Sequence, residues 1–166
     1  NELLLEITPK NLENLYLLAN RVSETSNSSN FTAGEMLGDP FMFCLSADTS
    51  NVYMHTVQTY DKVKEDDAIA ASFKRNFNNP ILKTFKIKAS RNDTLLIDVT
   101  SFFVSNEKCI TPIRQSVRTR ETMSASYDAS ASRLKEVKSF EKNIEITSIL
   151  NFNITAGGYT LTMRRS

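Results

Sequence analysis

The chain has 166 residues, 40% of them hydrophobic, with only 4 Gly and 4 Pro, the make-up of an ordered globular domain large enough to bury about two-thirds of the surface its unfolded form exposes. Lys and Arg number 20 against 19 Asp and Glu, so at a net charge of +1 no global field draws the protein to nucleic acid or an anionic membrane. With His55 as the single histidine, the His-Glu-x-x-His helix of a zinc peptidase cannot be built from these residues.

Leu3-Leu4-Leu5-Glu6-Ile7 and Tyr16-Leu17-Leu18-Ala19-Asn20-Arg21-Val22 are short apolar runs separated at Pro9-Lys10-Asn11, which predicts two strands joined by a turn or a single helical turn. Residues 23–38 form a Ser/Thr/Asn-rich stretch that reads as a mobile loop and the best candidate for surface contacts. Phe41-Met42-Phe43-Cys44-Leu45 and residues 52–60 flank the polar turn Ser46-Ala47-Asp48-Thr49-Ser50-Asn51, a first hairpin. His55 falls inside its second strand among β-branched and aromatic neighbours, so it reads as a structural imidazole with no evident catalytic partner.

Ile69, Phe73 and Phe77 recur at helical spacing, Asp66 and Asp67 stand at the start and Lys74 and Arg75 near the end, and Asn78-Asn79-Pro80 stops the pattern. This predicts the one main helix. Phe85-Lys86-Ile87-Lys88-Ala89 alternates, Ser90-Arg91-Asn92-Asp93 turns, and Leu95, Ile97 and Val99 continue the alternation as a second hairpin. The signal then weakens until Ile144, Ile146, Leu150, Phe152 and Ile154, which share one face of a long strand interrupted only by Ser148. Thr155-Ala156-Gly157-Gly158 turns the chain into a final strand marked by Tyr159, Leu161 and Met163. The expected fold is a β-rich α+β domain over residues 1–166, with antiparallel sheets built from hairpins and one main covering helix.

The residue chemistry excludes more than it offers. Gly-x-Ser-x-Gly and a Gly-rich phosphate loop are both absent, and neither Cys44 nor Cys109 sits in a protease signature with His55. The two cysteines can pair in an oxidising compartment or serve as core thiols. Glu65-Asp66-Asp67 lacks the spacing of a calcium loop and reads as helix-start electrostatics. Arg114, Arg118 and Arg120 cluster, and Lys86 and Lys88 share a strand face, without the interleaved aromatics of a nucleic-acid platform. Asp98 and Asp128 have no second carboxylate at a telling spacing, and the sequons at Asn27, Asn30, Asn92 and Asn153 are of a kind that Asn- and Ser-rich chains form by chance. No catalytic, cofactor-binding or metal-binding residue is assigned. No apolar run approaches the roughly 18 to 20 residues that span a bilayer, no signal-peptide pattern opens the chain, and the first residue is not Met, so a processed piece of a longer precursor is expected.

Two stretches carry a resemblance. Asn79-Pro80-Ile81-Leu82-Lys83-Thr84-Phe85-Lys86-Ile87 with Leu95-Leu96-Ile97-Asp98-Val99-Thr100-Ser101-Phe102-Phe103-Val104-Ser105, and Tyr127-Asp128-Ala129-Ser130-Ala131-Ser132-Arg133 with Val137-Lys138-Ser139-Phe140-Glu141-Lys142-Asn143-Ile144-Glu145-Ile146, resemble a domain of unknown function found in bacterial zinc-dependent metalloproteases. Weaker similarity covers residues 3–22 and the helix around Ile69 to Phe77. Ser101, Ala131 and Glu141 stand where that family usually has an acidic residue, an Arg and a Pro, which marks a divergent member.

The resemblance implies a non-catalytic accessory or scaffold domain of an exported Gram-negative precursor, periplasmic or anchored at the outer membrane or cell surface. Its partner would be the catalytic domain of the same parent chain, which would hold the zinc, with peptide or protein substrate as a further contact. The competing expectation is a free-standing peptide- or glycan-binding module that uses the loop at residues 23–38 and a sheet edge.

Overall fold

The structure is a computed structural model that describes residues 2–57, 63–64, 66–76, 78–113, 124–155 and 158–166. In chain order the elements are β1 (Leu4–Ile7), α1 (Pro9–Leu12), β2 (Leu15–Leu18), β3 (Val22–Thr25), β4 (Phe41–Ala47), β5 (Asn51–Thr56), α2 (Ala70–Asn76), β6 (Ile81–Arg91), β7 (Thr94–Asp98), α3 (Thr100–Phe103), β8 (Ala125–Ser139), β9 (Ile144–Ile154) and β10 (Tyr159–Arg165). The chain divides into two compact units, one holding residues 4–18 and 40–98, the other residues 1–3, 19–39 and 99–166.

The first unit is a six-stranded antiparallel sheet in the order β1-β7-β6-β5-β4-β2. Its edge strands β1 and β2 are consecutive in the chain, joined only through residues 8–14 with α1 in their middle. Laid flat, six strands would hold those edges about 24 Å apart at the usual spacing of about 4.8 Å. Instead α1 touches both β1 and β4, so the sheet curls into a half-barrel. Pro9 suits the first helical position, and the Asn11 side chain reaches back to accept from the Thr8 N–H at 2.8 Å, which fixes the short helix that spans the gap. Ile7, Leu45, Val52, Met54, Phe85 and Ile97 are buried on one face of the sheet. The β6–β7 hairpin closes on Asn92 and Asp93 at φ 49° and 60°, the paired positive values of a tight two-residue turn that these residue types tolerate.

The second unit is a four-stranded antiparallel sheet in the order β3-β10-β9-β8. Val22, Phe31, Leu37, Leu150, Phe152, Ile154, Leu161 and Met163 form its core. Leu150, Phe152 and Ile154, spaced by two along β9, supply one wall of that core, as their alternation predicts.

Three hairpins anticipated from sequence are present as β4–β5, β6–β7 and β9–β10. The main covering helix is not. Only three short helices occur among the described residues. Of the expected stripe, Ile69 lies just before α2 and is 58% exposed, Phe73 is half-buried within α2, and Phe77 lies outside the described residues; α2 itself is only 7 residues long, too short to cover a sheet. The segment 16–22 is likewise two strands rather than one: β2 joins the six-stranded sheet, whereas β3 joins the four-stranded one. Residues 23–38 are not simply a surface loop, since Phe31 and Leu37 are buried in the core. Cys44 and Cys109 remain thiols, with no disulfide between them.

Candidate functional site

The β4–β5 register sets Cys44 opposite His55 and Ser46 opposite Tyr53, so these four side chains share one face. The buried Leu45, Val52 and Met54 occupy the other. Ser46 Oγ lies 2.7 Å from His55 Nε2, and His55 Nδ1 lies 3.1 Å from the carbonyl oxygen of Asn79. A carbonyl only accepts, so Nδ1 carries the proton and Nε2 accepts from the Ser46 hydroxyl.

This donor–acceptor order is the one in which an imidazole activates a serine. A nucleophile also needs donors aimed at a developing oxyanion, a concave place for substrate and a charged partner to hold the imidazolium. Ser46 is exposed on a sheet face, and Asn79 offers a neutral carbonyl. A shallow depression of about 340 Å³ lies elsewhere, between Glu6, Arg91, Asn92 and Leu96, and does not include the pair. The Ser46–His55–Asn79 chain therefore acts as a cross-link that ties β4 and β5 to the segment leading into β6.

Beside it, Asp48 closes the hairpin. Its Oδ1 accepts the N–H groups of Ser50 and Asn51, each at 2.7 Å, and its Oδ2 accepts the Tyr53 hydroxyl at 2.6 Å. The Tyr53 bond and then the two backbone bonds hold the Asp48 carboxyl below its ordinary value, while the same contact with Asp48 pushes the Tyr53 phenol up.

In the second unit the notable polar group is Arg165, 3% exposed on the last strand. Its guanidinium donates to the carbonyls of Ile110, at 2.9 Å, and Phe103. Ser148 donates to the same Phe103 carbonyl at 2.6 Å, and Tyr127 donates to the Val104 carbonyl at 2.6 Å. Burial lowers the Arg165 guanidinium to about 10, still charged at neutral pH. Together these side chains pin residues 103–110 to the sheet, a fastening that neither the buried Arg nor the interrupting Ser148 disclosed in the sequence.

The remaining candidates disperse. Asp67 Oδ1 accepts from the Ile69 N–H at 3.0 Å in a turn ahead of α2, whose own first turn holds no acidic residue, contrary to the helix-start reading, and Glu65 lies outside the described residues. Lys88 pairs with Asp98 at 3.2 Å, and Lys86 is exposed on the same strand. Asp98 and Asp128 belong to different units, and Asp128 is occupied by the Ser130 hydroxyl and backbone N–H, which lower its pKa. Arg114, Arg118 and Arg120 lie outside the described residues. Among the described residues, no three His, Cys, Asp or Glu side chains converge to hold a metal ion.

The other exposed feature is apolar. Leu15 and Leu17, on the edge strand β2, are 58% and 67% exposed and stand opposite Cys44 and Met42 on the outer face. What these observations define is a β-rich domain of two antiparallel sheets whose polar side chains mainly fasten its own backbone. Residues 34–166 match the family described as Domain of unknown function (DUF5117), and the chain belongs to that family. The match begins after the residues 3–22 for which weaker similarity is expected from sequence. No curated protein and no solved structure matches the chain.

Proposed function

We propose that this chain is a non-catalytic accessory domain of an exported zinc-dependent metalloprotease, packing on or gating the catalytic domain of its own parent chain. The observation that carries the reading is β2, an edge strand that exposes Leu15 and Leu17 side by side. An open edge with leucines on it invites pairing or burial, and soluble proteins ordinarily blunt such edges with charge, Pro or a covering segment. A catalytic domain in the same chain is the covering body that the residue resemblance suggests. Zinc then belongs to that neighbour, and the present residues contribute shape and support. The site of action is the periplasm or the outer cell surface.

The test lies in the parent. Its reading frame is expected to encode a His-Glu-x-x-His helix beyond Ser166, and a frame without one contradicts the proposal. In the full-length protein Leu17→Glu is expected to lower peptide hydrolysis several-fold or release the domain to added protease. Unchanged activity and protease resistance would count against the β2 contact.

A further inference from the structure

β8 and β9 form an arm. The partner strand β10 follows β9 only from Ile154 to Ser148, so the paired residues Val137 with Ile146, Lys138 with Glu145 and Ser139 with Ile144 make a two-stranded ribbon that runs past the rest of the sheet. Among the described residues β8 is the edge strand of its sheet. Phe140 N–H donates to the Asn143 carbonyl at 2.8 Å, which makes that pair the hydrogen-bonded closing pair of the hairpin. Antiparallel pairs alternate, so Lys138 and Glu136 direct their backbone groups toward β9, whereas Val137 and Ser139 direct theirs to the open edge.

The side chains are also sorted. Val137, Ser139, Ile144 and Ile146 share one face, with Val137 39% and Ile144 50% exposed. Glu136, Lys138 and Glu145 share the other, where Lys138 lies 3.2 Å from Glu136.

We propose that the open edge of β8 pairs antiparallel with the β8 edge of a second copy of this chain, about a twofold axis at Val137. The charges choose the register. A strand pairing with itself across a twofold must place one residue opposite its own copy. An axis at Glu136 sets two carboxylates face to face, and an axis at Lys138 sets two ammonium groups face to face, both unfavourable. An axis at Val137 sets Glu136 opposite Lys138 of the second copy, twice. It also sets the outward backbone groups of Val137 against each other as a hydrogen-bonded pair. Across the four strands, one face then reads Ile146, Val137, Val137, Ile146. The other carries Glu145, Lys138 and Glu136 in alternating sign, once from each side. Edge charges that oppose the two neighbouring registers thus permit this one.

Sedimentation equilibrium of the purified chain over a wide concentration range tests this. The expected result is reversible association to twice the monomer mass. Glu136→Lys, which keeps the Lys138–Glu145 pair within the arm, is expected to weaken association at least tenfold, as is Val137→Pro. Lys138→Glu alone is expected to be monomeric, yet an equimolar mixture of Glu136→Lys and Lys138→Glu is expected to form a heterodimer. Circular dichroism establishes that each variant is folded, and should Val137→Pro fail there, the charge variants decide. A chain that stays monomeric throughout, or a dimer indifferent to these substitutions and to mixing, overturns the proposal.

Discussion

Arg165 and Ser148 illustrate what single side chains do here. Both reach the Phe103 carbonyl, and Arg165 alone reaches that of Ile110. Ser148→Ala leaves the Phe103 carbonyl with its Arg165 bond and is expected to cost about 1 kcal/mol. Arg165→Ala strands the Ile110 carbonyl and opens a cavity where the aliphatic stem packs, so about 2–4 kcal/mol is expected. Urea unfolding of the two variants measures the order. At the hairpin, Asp48 has a folded pKa below its ordinary value of 3.8, so its contribution to stability is complete above 3.8 and is lost as pH falls through the folded value. Because Tyr53 is the largest cause, Tyr53→Phe is expected to move the Asp48 carboxyl back up in an NMR titration. An unmoved Asp48 would show that the backbone N–H groups alone hold it. The same spectra report the His55 tautomer, expected with the proton on Nδ1.

The elements divide by whether their pattern faces a core. β9 shows its alternation because Leu150, Phe152 and Ile154 each enter the core, and even the interruption at Ser148 is buried, at 1% exposure, for its hydroxyl. The apolar stripe around α2 has the right spacing but no sheet beneath Ile69, so periodicity alone overstated the helix. Phe152→Ala is accordingly expected to cost about 3–5 kcal/mol and Ile69→Ala less than about 0.5 kcal/mol, by thermal or urea unfolding. β8 escaped sequence reading for the opposite reason: it is an edge strand of Ala, Ser and charged residues with bulges between Asp128 and Arg133 and between Leu134 and Glu136, so neither a continuous alternation nor a buried face marks it. Ser46 as the partner of His55 was within reach of sequence reasoning, because the hairpin register places the two residues diagonally once the turn is fixed at Asp48. Asn79 was not, since its carbonyl reaches His55 from a different segment.

At the scale of the whole molecule, the β-rich class and the hairpins were legible because they are local in sequence, while the half-barrel was not, because it depends on β1 and β2 becoming opposite edges of one sheet. Residues 34–166 place the chain in the DUF5117 family, and the proposed accessory role rests on the exposed leucines of the β2 edge together with the residue resemblance. Amide hydrogen exchange across β2 (Leu15–Leu18), compared between the isolated chain and the full-length parent, probes that role most directly. If, as proposed, a catalytic domain covers the strand in the parent, these amides exchange at least tenfold more slowly there. Equal exchange in the two proteins would contradict the accessory role.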